Sequence, residues 1–431
     1  MTTAIATLRR QVVAYPAFAT WMLFLGVLLL IGLVSGAAVL WYGLDVTNLS
    51  NRVPWGLWIT VDLSAIALGA GAFSLSTIVY IFRAKSFAPI ARMAVFVGFV
   101  GYTSAMLALV MDIGRPDRFW HPMVFWNVHS VLWEVTMCVM LYSAVLIFEL
   151  APALLESKWV VQRFPRGPQI AHVMHRFTPV VSVVGLGLSL LHQSSLGATY
   201  GVLTARPVWY SPSAPVLFIL SAAAAGPALT MLVTLIAGEV LKKRMVPTDV
   251  LHGVARFVGF ASLAYLYLKL WSWAATNYYS HVPAQATGIE LLKEHTPYDV
   301  TFWWGEVLMG ALLPAIIFLW PRLRRNRYLL MLGALMVVAG LVVNRWNVTL
   351  SGFVVPLDWS PGVLDVFPIN SYEPSLVEWG IALGIVGYSW LGWTLGVRYL
   401  RLYPNAVRLV RRRVVTQPTV AESGEQPATA R

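Results

Sequence analysis

Apolar residues along this chain gather into long, almost unbroken runs instead of recurring at the spacing of an amphipathic helix or strand. Ten runs approach the ~20 residues needed to cross a bilayer. They fall approximately at Ala17–Trp41, Gly56–Phe82, Ile90–Met111, Val128–Leu150, Val173–Leu196, Ala214–Val240, Gly253–Asn277, Val300–Trp320, Tyr328–Asn344 and Ser375–Val397, the ninth being the shortest. An open strand would leave its backbone groups unpaired in hydrocarbon, so each run predicts a transmembrane helix. The first run follows Arg9 and Arg10, as a signal peptide would. It is too long for one and leads straight to another span, so an uncleaved first helix is expected.

Composition agrees with that class. Of 431 residues, 58% are hydrophobic and 12% are charged, and mean hydropathy is +0.69. A soluble domain carries about 25% charged residues. The expectation is one polytopic membrane domain over residues 1–414, followed by a polar tail over 415–431 that is too poor in apolar residues to fold. The one cysteine, Cys138, lies inside an apolar run. It forms no intrachain disulfide and cannot hold an iron–sulfur cluster, which takes several thiolates. Neither a CxxC, CxxCH or HExxH motif nor a Gly-rich phosphate loop occurs in the sequence. Soluble-style cofactor chemistry is therefore not expected in this chain.

A net charge of +12 first raises nucleic acid as a partner. The distribution of the charge argues for lipid instead. With the N-terminus inside, 24 of the 31 Lys and Arg residues fall in inner segments. Six fall in outer connections (Arg52, Arg115, Arg118, Arg206, Lys293 and Arg345), and Lys269 lies within a span. Such a bias predicts both termini cytoplasmic, in the cell's inner membrane, with the cations facing anionic lipid. Two outer connections are long, His281–Asp299 and Arg345–Pro374. Each is read either as a docking surface for an extracytoplasmic partner or as a passive cap.

Ionisable residues inside hydrocarbon are costly and point to function. Asp62, Glu134, His192, Lys269, Glu306 and Glu378 come from six different runs, all toward the outer side. Inner-side candidates such as Glu239, His175 and Arg256 lie near run ends, where water is available. The pattern predicts a polar cavity opening outward, although each residue alone can be read as a snorkelling, capping or paired group.

Four segments concentrate this chemistry. The connection after the third run reads Asp112-Ile-Gly-Arg-Pro-Asp-Arg-Phe-Trp-His-Pro122 and leads to Asn127, His129 and Trp133-Glu134. The fifth run ends in Leu191-His192-Gln193-Ser194-Ser195-Leu196-Gly197, the second opens with Pro54-Trp55-Gly56-Leu57-Trp58 and continues to Asp62, and the ninth ends in Asn344-Arg345-Trp346-Asn347-Val348. Together these resemble the NrfD/PsrC-like membrane subunits, among them those of polysulfide reductase, hydrogenase-2 and alternative complex III. The ten runs and the Asn-Arg-x-Asn-Val segment lean toward the hydrogenase-2-like branch. The resemblance covers nearly the whole chain apart from the tail. It implies an all-α integral membrane fold of ten transmembrane helices, with spans 2–5 and 6–9 forming two four-helix bundles and the others flanking them. It also implies a quinone site near the outer face and an extracytoplasmic ferredoxin-like iron–sulfur subunit as partner, with a further catalytic subunit beyond it. The chain is expected to hold neither heme nor iron–sulfur cluster.

Oxidising a quinol releases two electrons and two protons, which calls for groups that grip the ring oxygens and carry protons away. His129 or His192, paired with Asp112 or Glu134, would supply the base. Asp62, Asn127, Gln193 and Ser194 would hydrogen-bond the ligand, while Arg115, with Arg118, would hold the carboxylates ionised. The Asp112 segment can instead be a salt-bridged turn capping two helices. A b-type heme between His175 and His252, or between His129 and His192, is the rival cofactor, and a proton-coupled secondary transporter is the rival function.

Overall fold

The structure is a computed structural model and describes residues 16–80, 84–279, 283–355, 370–403 and 407–408. The arginines at 9 and 10, the tail after Val415 and residues 356–369 of the Arg345–Pro374 connection lie outside the described residues. Ten long helices carry the chain: α1 (Pro16–Tyr42), α2 (Leu57–Tyr80), α3 (Ala88–Asp112), α4 (Val131–Leu155), α5 (Gly167–Gly201), α6 (Ala214–Leu241), α7 (Thr248–Ala274), α8 (Tyr298–Leu319), α9 (Arg327–Val354) and α10 (Leu376–Tyr399). Among the described residues, nine of these are long and apolar enough to cross a membrane, while the apolar stretch of α2 is Leu57–Ala72. The protein is a multi-pass, all-α membrane protein.

Local chemistry starts the helices where the charge argument places water. The Ser130 hydroxyl accepts from Trp133 N at the head of α4, and the Asn326 side chain accepts from Tyr328 and Leu329 N at the head of α9. Ser375 and Glu378 form a reciprocal capping box on α10. Once started, the helices persist because lipid offers their backbone groups no other partner. Large aliphatic side chains stay exposed, as on α1 with Leu23, Leu33 and Val34. In lipid this is the favoured arrangement, since a bilayer-facing leucine loses nothing by exposure.

α2 packs on α3 and α5, and α4 packs on α3 and α5. α6 packs on α7 and α9, and α8 packs on α7 and α9. The two groups meet where α2 and α5 face α6, while α1 and α10 lie together against α3. At the central crossing, a Cβ on Gly71 or Gly226 would overlap the backbone of the other helix, so only glycine lets α2 and α6 come this close. At the end of the bundle that holds the α2–α3, α4–α5, α6–α7 and α8–α9 connections, named inner after the charge argument and the opposite end outer, strand Lys243–Arg244 (β1) pairs antiparallel with Val407–Arg408 (β2), tying the α6–α7 turn to the chain beyond α10.

Two spans differ from the pattern expected of them. The ninth run ends at Asn344 by hydropathy, but α9 continues ten residues further, to Val354. Arg345 is therefore not an outer-loop cation; it is buried inside the bundle, with partners described below. α8 carries a twelve-residue π-helical stretch, Thr301–Leu312, and α7 passes into a π turn at Ala275–Tyr279. Such stretches concentrate at functional sites. The outer His281–Asp299 connection contains a helix, Pro283–His295.

Candidate functional site

The outer half of α2–α5 buries a cluster centred on Tyr102 of α3, whose hydroxyl lies 2.7 Å from Nδ1 of His192 on α5. The ring of Tyr142 on α4 packs on it at 4.5 Å between centroids. Asp62 on α2 is within electrostatic reach of Tyr102 and of Asp112, which in turn feels Glu378 on α10. α2, α4 and α5 each deliver one of these groups and α3 delivers two, brought together where α2 and α4 both pack on α3 and α5.

The hydrogen bonds of this cluster are incomplete. Nε2 of His192, Oδ1 of Asp62 and both polar atoms of the Gln193 amide are buried without a protein partner. His192 and Gln193 are 0% and 2% exposed. Buried polar atoms are almost always paired, and an orphan costs about 1–3 kcal/mol. A base, a carboxyl group and an amide left open in this way fit a ligand that carries hydrogen-bonding oxygens. Glu134 borders the region and accepts from Ser195 Oγ at 2.6 Å.

The other expected residues sit elsewhere. The Ser194 hydroxyl is turned back onto Leu191 O of its own helix at 2.8 Å. Arg115 forks onto Asp117 at 3.0 and 2.9 Å, not onto Asp112, and both partners are exposed. That guanidinium holds the Asp117 carboxyl below its ordinary range. Asn127 and His129 are exposed in the turn that leads into α4. The connection between α3 and α4 thus forms an exposed rim, with His121 between the rings of Trp120 and Phe125, at 4.3 and 5.3 Å.

Tyr102 and Tyr142 were not singled out from the sequence. A tyrosine inside an apolar run looks like aromatic filler, and only its facing histidine reveals its role. Further inward, Glu149 accepts from Ser182 at 2.9 Å. Glu156 stands at the inner mouth, 3.0 Å from Arg92 and 3.2 Å from His175. Burial pushes the Glu156 carboxyl up, but the His175 hydrogen bond and the Arg92 charge outweigh it and leave it below its ordinary range.

A second polar cluster fills the outer half of α6–α9. Lys269 Nζ on α7 is 2.6 Å from Glu306 of α8, within the π stretch. Glu306 also accepts from Asn344 at 2.8 Å and Asn347 at 2.6 Å. Arg345 donates to Asn344 Oδ1 at 2.7 Å and Ser221 Oγ at 2.8 Å, and stacks 3.8 Å over the Phe218 ring. The Asn-Arg-x-Asn segment therefore builds this network, which borders a cavity of about 160 Å³. Among the described residues, no group of His, Cys, Asp and Glu is arranged to hold a metal ion.

Several known membrane subunits are similar to this chain. The integral membrane subunit of menaquinone reductase from Nitratidesulfovibrio vulgaris is 35% identical over 92% of this chain and 94% of its own. The probable Ni/Fe-hydrogenase 2 b-type cytochrome subunit of Escherichia coli is 26% identical over 84% and 86%. The C subunit of polysulfide reductase from Wolinella succinogenes is 26% identical over 70% and 95%. Residues 45–356, which hold both polar clusters, match the family described as polysulphide reductase, NrfD, and the chain belongs to that family.

Proposed function

We propose that this chain is the quinone-reactive membrane subunit of a redox complex, with its quinone site at the outer end of α2–α5. It spans the cytoplasmic membrane ten times with both termini inside. It exchanges electrons with an extracytoplasmic iron–sulfur partner and protons with the outer side, and leaves the terminal chemistry to a further subunit. The observation that carries the reading is the set of unpartnered buried atoms on Asp62, His192 and Gln193. The names of the relatives, menaquinone reductase among them, support a redox complex and make a menaquinone the first substrate to test.

In this reading His192 and the Gln193 amide hold the two ring oxygens. His192 takes a proton at Nε2 while Tyr102 fixes its ring through Nδ1. Asp62 and Asp112 pass protons outward. Glu134 stands beside them, tied to Ser195. The exposed rim with Arg115, Asn127 and His129 faces the partner.

The cavity at Lys269 is the weaker candidate for the quinone. Both Glu306 oxygens are already engaged there, by Asn344 and Asn347. A photoreactive azido-menaquinone applied to the assembled complex tests the assignment. Saturable label is expected on α2 and α5 and should be displaced by excess menaquinone. Label confined to α7–α9, or no saturable label at all, would overturn it.

A further inference from the structure

At the inner end of α7 and α8, cations gather with few acids to meet them. His252 and Arg256 lie on α7, and Arg322, Arg324 and Arg325 lie just beyond α8, in and after the short helix Pro321–Arg324. Packing brings the two groups together. α7 and α8 cross so closely that a Cβ on Gly259 would come within 3.2 Å of the Leu319 and Phe318 side chains. Arg324 folds back onto that same turn, donating to Phe318 O at 2.7 Å and Leu319 O at 3.4 Å. Arg256 stands less than one turn before Gly259 on α7. A guanidinium from each element therefore flanks one crossing.

These charges are not met within the protein. Among the described residues, Arg256, Arg322, Arg324 and Arg325 form no ion pair, whereas Arg327 and Lys242 share Glu239. Asp249 is the acid within electrostatic reach of His252. Burial, and then the charges of Arg256 and Arg325, press the Arg324 guanidinium below its ordinary value. Like charges gathered in this way repel, and an anion among them relieves the repulsion.

The surface beside the arginines is apolar. Residues four apart share a helix face, so Phe260 lies one turn from Arg256 toward the hydrocarbon, and both are exposed. On the α8 side, Ile316 and Trp320 are likewise four apart and exposed, with Arg324 one turn beyond them. A cationic head above an apolar strip matches the two parts of a phospholipid. Basic pockets between spans are where anionic headgroups bind, and tryptophan favours the same depth. A soluble anion would use the arginines and leave Phe260 and Trp320 with nothing to touch.

We infer that the groove between the inner ends of α7 and α8 binds an anionic phospholipid, its phosphate held by Arg256, Arg324 and Arg325 and its acyl chains lying on Phe260 and Trp320. The site is independent of where the quinone binds.

The test is a titration of dioleoylphosphatidylglycerol into the assembled complex, stripped of lipid in a neutral detergent and followed by melting temperature. Arg256→Gln combined with Arg325→Gln is expected to weaken the apparent affinity by at least about tenfold. Lys158→Gln combined with Arg163→Gln removes equal charge from the α4–α5 connection and should leave the affinity within about twofold. Phe260→Ala combined with Trp320→Ala keeps every charge and should also weaken binding, so the test survives if the arginine variant fails to assemble. An undiminished response in the arginine or the Phe260 and Trp320 variant, or an equal loss in the α4–α5 variant, would overturn the site. So would a matching response to dioleoylphosphatidylcholine or to inorganic phosphate.

Discussion

At the outer end of α2–α5, Asp62, His192 and Gln193 keep polar atoms that no protein group meets. At the outer end of α6–α9, both oxygens of Glu306 are taken, by Lys269, Asn344 and Asn347. Both regions bury ionisable side chains from several helices, and hydropathy alone ranks them alike. The difference lies in satisfaction. A network whose carboxylate is fully engaged, as at Glu306, where Arg345 Nε is the atom left unmet, holds helices together and keeps a fixed electrostatic environment. A network left open has something to offer a ligand. Buried charge is therefore not enough to identify a reactive site; the unmet hydrogen-bonding capacity is the better guide.

The comparison predicts opposite phenotypes. Glu306→Ala strands the Lys269 ammonium in the bundle, and removing one partner of a buried pair costs about 3–5 kcal/mol. The detergent-solubilised complex should lose thermal stability accordingly, while Asp62→Asn, which breaks no ion pair, should leave stability nearly unchanged and abolish turnover. Equal melting of the two variants would erase the distinction between the halves.

Within the first half, buried His192 and exposed His129 separate the reacting group from the rim. His192→Ala is expected to lower menaquinol-linked turnover by about 100-fold or more, as for a positioned base. His129→Ala should lower it by less than about tenfold, under about 1.4 kcal/mol of barrier. Matching losses in the two variants would move the proton acceptor to the outer loop.

The smallest effect belongs to the inner mouth. Glu156 is held below its ordinary range by His175 and Arg92, so its contribution to stability is present above the unfolded carboxyl value of about 4.3 and is lost as pH falls through the folded value. Glu156→Gln should flatten the acid limb of a melting-temperature profile by less than about 1 kcal/mol. A larger change would show that this tie matters more than a partly exposed ion pair should.

The long helices and the gathering of ionisable residues toward one end of them were legible in the sequence. Each reflects how a stretch of chain partitions between lipid and water, a property of that stretch alone. The motifs that carry the family resemblance were legible for a similar reason, being short and contiguous. Pairing between helices was not. Hydropathy ends the ninth span at Asn344, yet α9 runs to Val354 because Ser221 and Phe218 of α6 give Arg345 a partner and a ring to stack on. Tyr102 gains its importance only from His192, ninety residues away. Arg115 meets Asp117 rather than Asp112, across the tight turn at Pro116–Arg118. Sequence by itself determined that this protein lives in a membrane and which residues are costly there. Only the tertiary structure decided which of those costs are met by another helix and which are left open, since a hydrogen bond between distant residues depends on both positions at once.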